Sequence, residues 1–405
     1  MKKIIASLCF MLLMHGISAQ SLLDIYKRGA VKLTPDTEYG RGNDWEKVFA
    51  NFTDTIPTHN RSIVMMPNGS VVVNYSLNAH SFYSLFDANG RFVREFGITR
   101  AGRRAQNVLA IQAVMNNHFI TTTDNMGNAT IMDFNGNFVR SLKFDHSVGD
   151  MVPLTNNKIA IVGFTVLGNN RTRNFVAIVD FQTNEQKVIW EHVTTFNRRK
   201  IVASGTTIFF AGNEVDARPS ITFANNQLVV ALPHTGDILF YDVNGTLRSR
   251  QKVGWPQKFL SVAEQKESER KIIERVVARK RELQESGESR ERLQRFDVEI
   301  EARRANLEKI SEPRPLPMFA NVIRDSDGNL LFFEVPEREG ANQFNVWVFQ
   351  NNGGFVAKSS FVADGYDLSI TPSRMVFHNG FIYALTTLKN TTGNPLRLVR
   401  FRVSN

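Results

Sequence analysis

Ten polar residues have the chemistry to form a site: His80, Asp124, Asn125, Asp150, Arg171, Arg173, Arg218, His234, Glu334 and Arg374. Among them Asp124, Asn125, Asp150 and Glu334 are oxygen donors of the kind that hold a divalent cation for metal-assisted hydrolysis. The histidines and arginines add a charge cluster that could act without a metal. Nothing in their spacing is a ready-made motif: no His-Glu-x-x-His, no Gly-x-Ser-x-Gly, no phosphate-binding glycine loop and no sialidase-type aspartate box occurs. Asp325-Ser-Asp-Gly-Asn opens like a calcium loop, but Leu-Leu-Phe-Phe follows, which must be strand, so a hairpin turn is expected there. No cofactor is predicted, and no metal site is assigned; calcium enters only if the chain is an enzyme.

Residues this far apart meet only if a repeated fold gathers them. Six times a short apolar run meets a polar turn and continues as a second apolar run, at Met66-Pro-Asn-Gly-Ser, Asn116-Asn, Asn156-Asn, Asn225-Asn, Asp325-Ser-Asp-Gly and His378-Asn-Gly. A second hairpin follows each of the first five, as at Phe86-Asp-Ala-Asn-Gly-Arg-Phe-Val, Met132-Asp-Phe-Asn-Gly-Asn-Phe-Val and Tyr241-Asp-Val-Asn-Gly-Thr-Leu. Asn and Gly tolerate the positive φ angles of a tight turn, and a hairpin recurring at roughly 45 residues cannot bury its apolar face alone. The expected fold is all-β, a six-bladed β-propeller of four strands per blade. In such a meander the loops joining strands two and three open on the same face as those entering the next inner strand. His80, Asp124, Asn125, Arg171, Arg173, His234 and Glu334 are placed in the first kind, Asp150, Arg218 and Arg374 in the second.

The motif Phe-Asp-x-x-Gly-x-Phe-Val resembles exported six-bladed propellers of NHL type, over roughly residues 60 to 405. That resemblance implies a fold far more than an activity, because such propellers include scaffolds, ligand binders and a minority of lactonases and lyases. The sixth repeat supplies only three strands before the chain stops. Ala30-Val-Lys-Leu or Trp45-Glu-Lys-Val-Phe would then complete it and spare an open edge.

Residues 1–19 read as a signal peptide, with Lys2 and Lys3 before the apolar run Ile4 to Leu13 and a small residue at Ala19. That run is too short for a lasting membrane span. Cys9, the one cysteine, lies inside it, so disulfides and cysteine chemistry are not expected beyond it. The formal charge of +10 reads as a solubilising surface, and export makes nucleic acid an improbable partner. Residues 20–58 form an N-terminal segment with the ring-closing strand, 59–256 hold blades one to four and 318–405 blades five and six.

Between them, residues 257–317 change composition to Glu, Arg, Lys and Ala. Ser261-Val-Ala-Glu264 is a capping box, and Ile272, Val276 and Leu283 recur at helical spacing until Ser286-Gly287. A second seam follows at Leu293, Phe296, Ile300, Leu307 and Ile310, with Arg303 in an apolar slot. The expectation is an inserted antiparallel α-helical hairpin, an arm of about 35 Å. Arg303 should then snorkel, pair with Glu274 or Glu269, or meet a partner. The reading that follows is an exported, periplasmic or secreted scaffold that engages a protein through its loop face and arm, a glycan or small molecule being the lesser option. The alternative is a lactonase- or lyase-type enzyme with a polar or metal site at the channel mouth.

Overall fold

The computed structural model describes residues 21–49, 61–77, 80–96, 99–100, 103–104, 108–123, 128–144, 146–155, 157–168, 170–195, 199–210, 218–335, 342–368 and 375–405. Residues 1–19, and with them the signal-peptide reading, lie outside these. A short helix α1 (Leu22–Lys27) precedes strand β1 (Ala30–Pro35), and a second, α2, covers Trp45–Val48. Trp45–Val48 is therefore not a strand: Asp44 caps it, its side chain accepting the Lys47 N–H, and the Trp45 and Phe49 rings stack at 5.7 Å.

Four separate four-stranded antiparallel meanders follow. They are β2–β5 (Arg61–Met65, Val71–Leu77, His80–Phe86, Phe92–Phe96), β8–β11 (Val108–Met115, His118–Thr123, Asn128–Asp133, Phe138–Lys143), β12–β15 (Ser147–Pro153, Lys158–Gly168, Arg171–Asp180, Gln186–Thr195) and β18–β21 (Ser220–Ala224, Gln227–Ala231, Asp237–Asp242, Leu247–Lys252). Two small hairpins stand between meanders: β6 and β7 (Thr99–Arg100, Arg103–Arg104), and β16 and β17 (Arg199–Ala203, Thr206–Phe210). After β22 (Phe259–Leu260) come helices α3 (Val262–Glu285) and α4 (Arg290–Lys309), then β23 (Arg314–Pro315), which pairs back on β22. The last strands are β24–β27 (Asn321–Arg324, Leu330–Phe333, Gln343–Phe349, Phe355–Val362), β28 (Tyr366–Asp367) and β29–β31 (Met375–His378, Phe381–Leu388, Leu396–Ser404).

The turns explain why these segments pair. Asn116 and Asn117, Asn225 and Asn226, and Asn379 with Gly380 all have positive φ, the geometry of two-residue hairpins. In three of the second hairpins, and in the first hairpin of the fifth sheet, an aspartate holds the turn: the Oδ1 atoms of Asp87, Asp133, Asp242 and Asp325 each accept the backbone N–H groups two and four residues on, at 2.7–3.0 Å.

Each sheet packs its apolar residues on the next. Val72, Tyr83 and Phe119 join the first meander to the second, Ile131 and Ile161 the second to the third, Val176 and Leu228 the third to the fourth, and Phe240 and Phe332 the fourth to the fifth sheet. Strand β1 pairs antiparallel with β31 (Leu33 opposite Val403) and parallel with β27 (Val31 opposite Phe361), so the N-terminal strand lies between the last two sheets. Tyr383 and Leu398 then meet Val73 and Phe86 of the first meander. Inner strands β2, β8, β12, β18, β24 and β29 touch in turn, and β29 touches β2. The chain is mostly β, in a propeller-like arrangement of sheets.

Candidate functional site

The inner strands enclose a cavity of about 300 Å³ on the axis, lined by residues from all six. Most of its lining side chains are apolar, Ile63, Ile111, Ile221 and Ile323 among them, yet close to half of the wall they present is polar. Two charges enter it, Asp150 and Arg324. Asp150 was expected in a loop but belongs to β12, where the register slips between Val148 and Asp150. A bulge of this kind re-aims a side chain, and here it turns a carboxylate into the channel. Water can reach Asp150, yet protein crowds it closely; burial pushes its carboxyl up to about 7, against one stabilising hydrogen bond from the Met151 N–H at 2.8 Å.

Arg324, at the end of β24, is 8% exposed. Its Nε donates to the Gly328 carbonyl at 3.0 Å, while Nη1 and Nη2 make no hydrogen bond. Loss of water lowers this guanidinium to about 10, with Asp325 opposing the shift. No sequence signal marked it, since an arginine ending a strand before a turn looks like surface.

Of the other expected residues, the described side chains of Arg171, Arg173, Arg218, His234 and Glu334 do not line this cavity. Glu334 is buried, its carboxylate held by Lys258 Nζ at 2.6 Å, Lys358 Nζ at 2.8 Å, Trp347 Nε1 at 2.6 Å and Asn345 Nδ2 at 3.2 Å. Desolvation works to raise it, but the two lysines and the indole N–H bring it down to about 2. Such a group is an anchor; it fastens the entry to α3 through Lys258. Arg173 pairs with Glu191 on the adjacent strand, its Nε at 2.9 Å. Arg171 at the start of β14 and Arg218 before β18 are exposed. The ring of His234 lies 4.8 Å from that of His192 and 6.4 Å from Trp190. His80 begins β4. Asp124, Asn125 and Arg374 lie outside the described residues, so the four-donor cation set is not assembled from described positions. Among the described residues no three His, Cys, Asp or Glu side chains gather as metal ligands.

A second feature stands away from the channel. Helix α3 starts with the full capping box, Ser261 Oγ accepting the Glu264 N–H and Glu264 accepting the Ser261 N–H. Between helices, Lys280 reaches Asp297 at 2.5 Å and Arg303 reaches Glu269 at 3.3 Å, so the pairings run in opposite directions along the two. The arm is not free. Ala302 of α4 is buried with Ile201 and Ala203 of the β16–β17 hairpin, and Val298, Ala305, Ile208 and Phe210 pack around them. Arg199 Nε donates to Asn306 Oδ1 at 2.8 Å, and Ser204 Oγ to Glu301 Oε2 at 2.7 Å. Sequence reading missed this hairpin, because its five-residue strands fit neither half of the repeat. Helix α4 thus buries Ala302 and Asn306 more fully than any residue of its expected seam within the helix.

No family model matches the chain, and no curated protein does. Solved structures do. A member of the DUF4221 family from Bacteroides vulgatus is similar at a TM-score of 0.50 and 11% identity, over 93% of this chain and 99% of that one. BamB from Moraxella catarrhalis (TM-score 0.34, 12% identity, 84% of this chain and 81% of that one) and the calcium-binding protein regucalcin from Agrobacterium tumefaciens (0.43, 9%, 87% and 92%) are more distant. No helix among the described residues is long and apolar enough to cross a membrane. The likeness is one of fold: the chain is similar to propeller-type proteins.

Proposed function

We propose that the chain is an exported six-bladed propeller of NHL-like type that serves as a binding scaffold, and that its helical hairpin engages a protein partner. Six inner strands touching in a cycle support the blade count. The basic start and apolar run of residues 1–19 support export.

The observation that carries the binding role is the projection built from α3, α4, β16 and β17. Two connections between sheets, far apart in sequence, share one small core at Ile201, Ala203 and Ala302. A surface held this way is organised before it meets a partner, so little ordering entropy is lost on association. Its outer side remains polar and available: Arg281 and Arg295 side chains are 81% and 77% exposed. Val202 is 62% exposed on the hairpin beside the helices.

Affinity capture from native envelope extract tests this, comparing the full chain with one in which Val202, Arg281 and Arg295 are replaced by Glu. One partner should be recovered with the first and lost with the second, at equal thermal stability. Equal recovery by both removes the projection from the account.

A further inference from the structure

We infer that the axial channel binds a small zwitterion, an amino carboxylate with an apolar body, whose carboxylate meets Arg324 and whose ammonium meets Asp150. This goes beyond the scaffold reading and does not depend on it.

Arg324 carries a planar fork of donors, and burying it without partners is costly. Its neighbour Asp325 does not satisfy it. The Asp325 oxygens are spent on their own turn, Oδ1 on the Asp327 and Asn329 N–H groups and Oδ2 on Asn329 Nδ2 at 2.8 Å. Nη1 and Nη2 therefore remain buried donors without an acceptor, on a residue that lines the cavity, and a small turn of the side chain would bring them to a ligand there. Asp150 is the complementary case. One oxygen takes the Met151 N–H, and no lysine, arginine or histidine forms an ion pair with it among the described residues.

Each simple ligand solves half of this. A carboxylate alone answers Arg324 and adds a second anion near Asp150; an amine alone answers Asp150 and adds a cation near Arg324. An amino carboxylate answers both with no change in net charge. Ile63, Ile111, Ile221, Phe223, Ile323 and Met375 supply apolar patches on a wall that is otherwise polar, which suits a small hydrocarbon body between two charged ends. The cavity lies at the small end of the range of ligand pockets, roughly 300–1,000 Å³, which suits a single amino acid better than a peptide.

Calorimetric titration of the full chain at pH 8 tests the proposal with four probes: L-leucine, 6-aminohexanoate, 4-methylpentanoate and 3-methylbutylamine. Leucine and 6-aminohexanoate differ in charge separation, and the tighter of the two reports the spacing of Arg324 from Asp150. One of them should bind at least about tenfold more tightly than both the acid and the amine. Asp150→Asn and Arg324→Gln should each weaken that binding about tenfold or more. Absence of heat from both amino carboxylates up to about 10 mM overturns the proposal, as does equal binding of the plain acid. The ligand series needs no variant, so a poorly folding Arg324→Gln leaves the test intact.

Discussion

Arg303 of α4 donates to Glu269 of α3 at 3.3 Å and to Glu299 one turn back at 2.9 Å, with its guanidinium 5.8 Å from the Phe210 ring centre. One side chain thus joins both helices and the β16–β17 hairpin. Glu269 is 8% exposed, so the pair is largely desolvated at its acidic end.

From sequence alone, leucine at 303 should leave a hairpin that packs only on itself level or more stable. Here the helices also pack on β16–β17, and the paired Glu269 is buried. Arg303→Leu strands Glu269 as a buried, unpaired carboxylate and should cost about 1–3 kcal/mol. Replacing Glu269 with Leu as well should recover most of the loss, because an apolar pair can substitute for a buried ion pair. Denaturant unfolding of both single variants and the double variant measures the coupling; additive effects would show that the two residues do not interact.

Glu334 sets an acid limit on stability. Its carboxyl is held well below the usual range, at about 2, so folding favours the ionised form. The contribution is fully present above the unfolded value near 4.5 and is lost as pH falls toward 2. Both lysines are partly wet, which screens the pair. Glu334→Gln should cost on the order of 2 kcal/mol at pH 7, and the difference from the parent should shrink steadily between pH 5 and about 2. A pH-independent difference in melting temperature would contradict this account.

Asp150 acts in the opposite sense. With its carboxyl raised from 3.8 to about 7, the folded protein holds a proton that the unfolded chain releases, so stability falls as pH rises from 4 to 7 and then levels off. Channel water softens the effect. Asp150→Asn should be more stable than the parent by on the order of 1 kcal/mol at pH 8 and equal to it at pH 4. Thermal melts at the two pH values decide.

Gly236 fixes the base of the projection. It has a φ of +74°, its carbonyl accepts the Trp255 indole N–H at 3.0 Å, and an added Cβ would overlap the Trp255 ring and approach Met318 Sδ. Gly236→Ala should cost about 2 kcal/mol or more, through both backbone strain and overlap. Gly254→Ala, where a Cβ meets nothing, is the control that should change stability little.

The repeat was legible because its turns use residues with few alternatives. Asn116-Asn and Asn225-Asn stand where positive φ is required, and the Phe-Asp-x-x-Gly pattern marks turns whose aspartate caps its own backbone. Helix limits at Ser261 and Gly287 were legible for the same reason: capping is local chemistry. What could not be read was pairing between distant segments. Nothing in Arg199-Lys-Ile-Val-Ala says that it packs on Ala302, and Arg324 becomes a channel residue only when five other strands surround it. Asp150 was singled out, but its position depends on a bulge that no spacing reveals.

The seam formed by β1 also ties an early segment of the chain to one made much later. Asp36 and Arg400, which form an ion pair beside that seam, are 364 residues apart. Local hairpins can form as the chain leaves the ribosome, but the sheet holding β31 stays incomplete until that strand arrives. Contacts of such separation make closure a late and slow event. Until then the edges of β1 and β30 that β31 covers stand open to another chain, so the interval before closure is when this protein is most open to aggregation and to capture by chaperones.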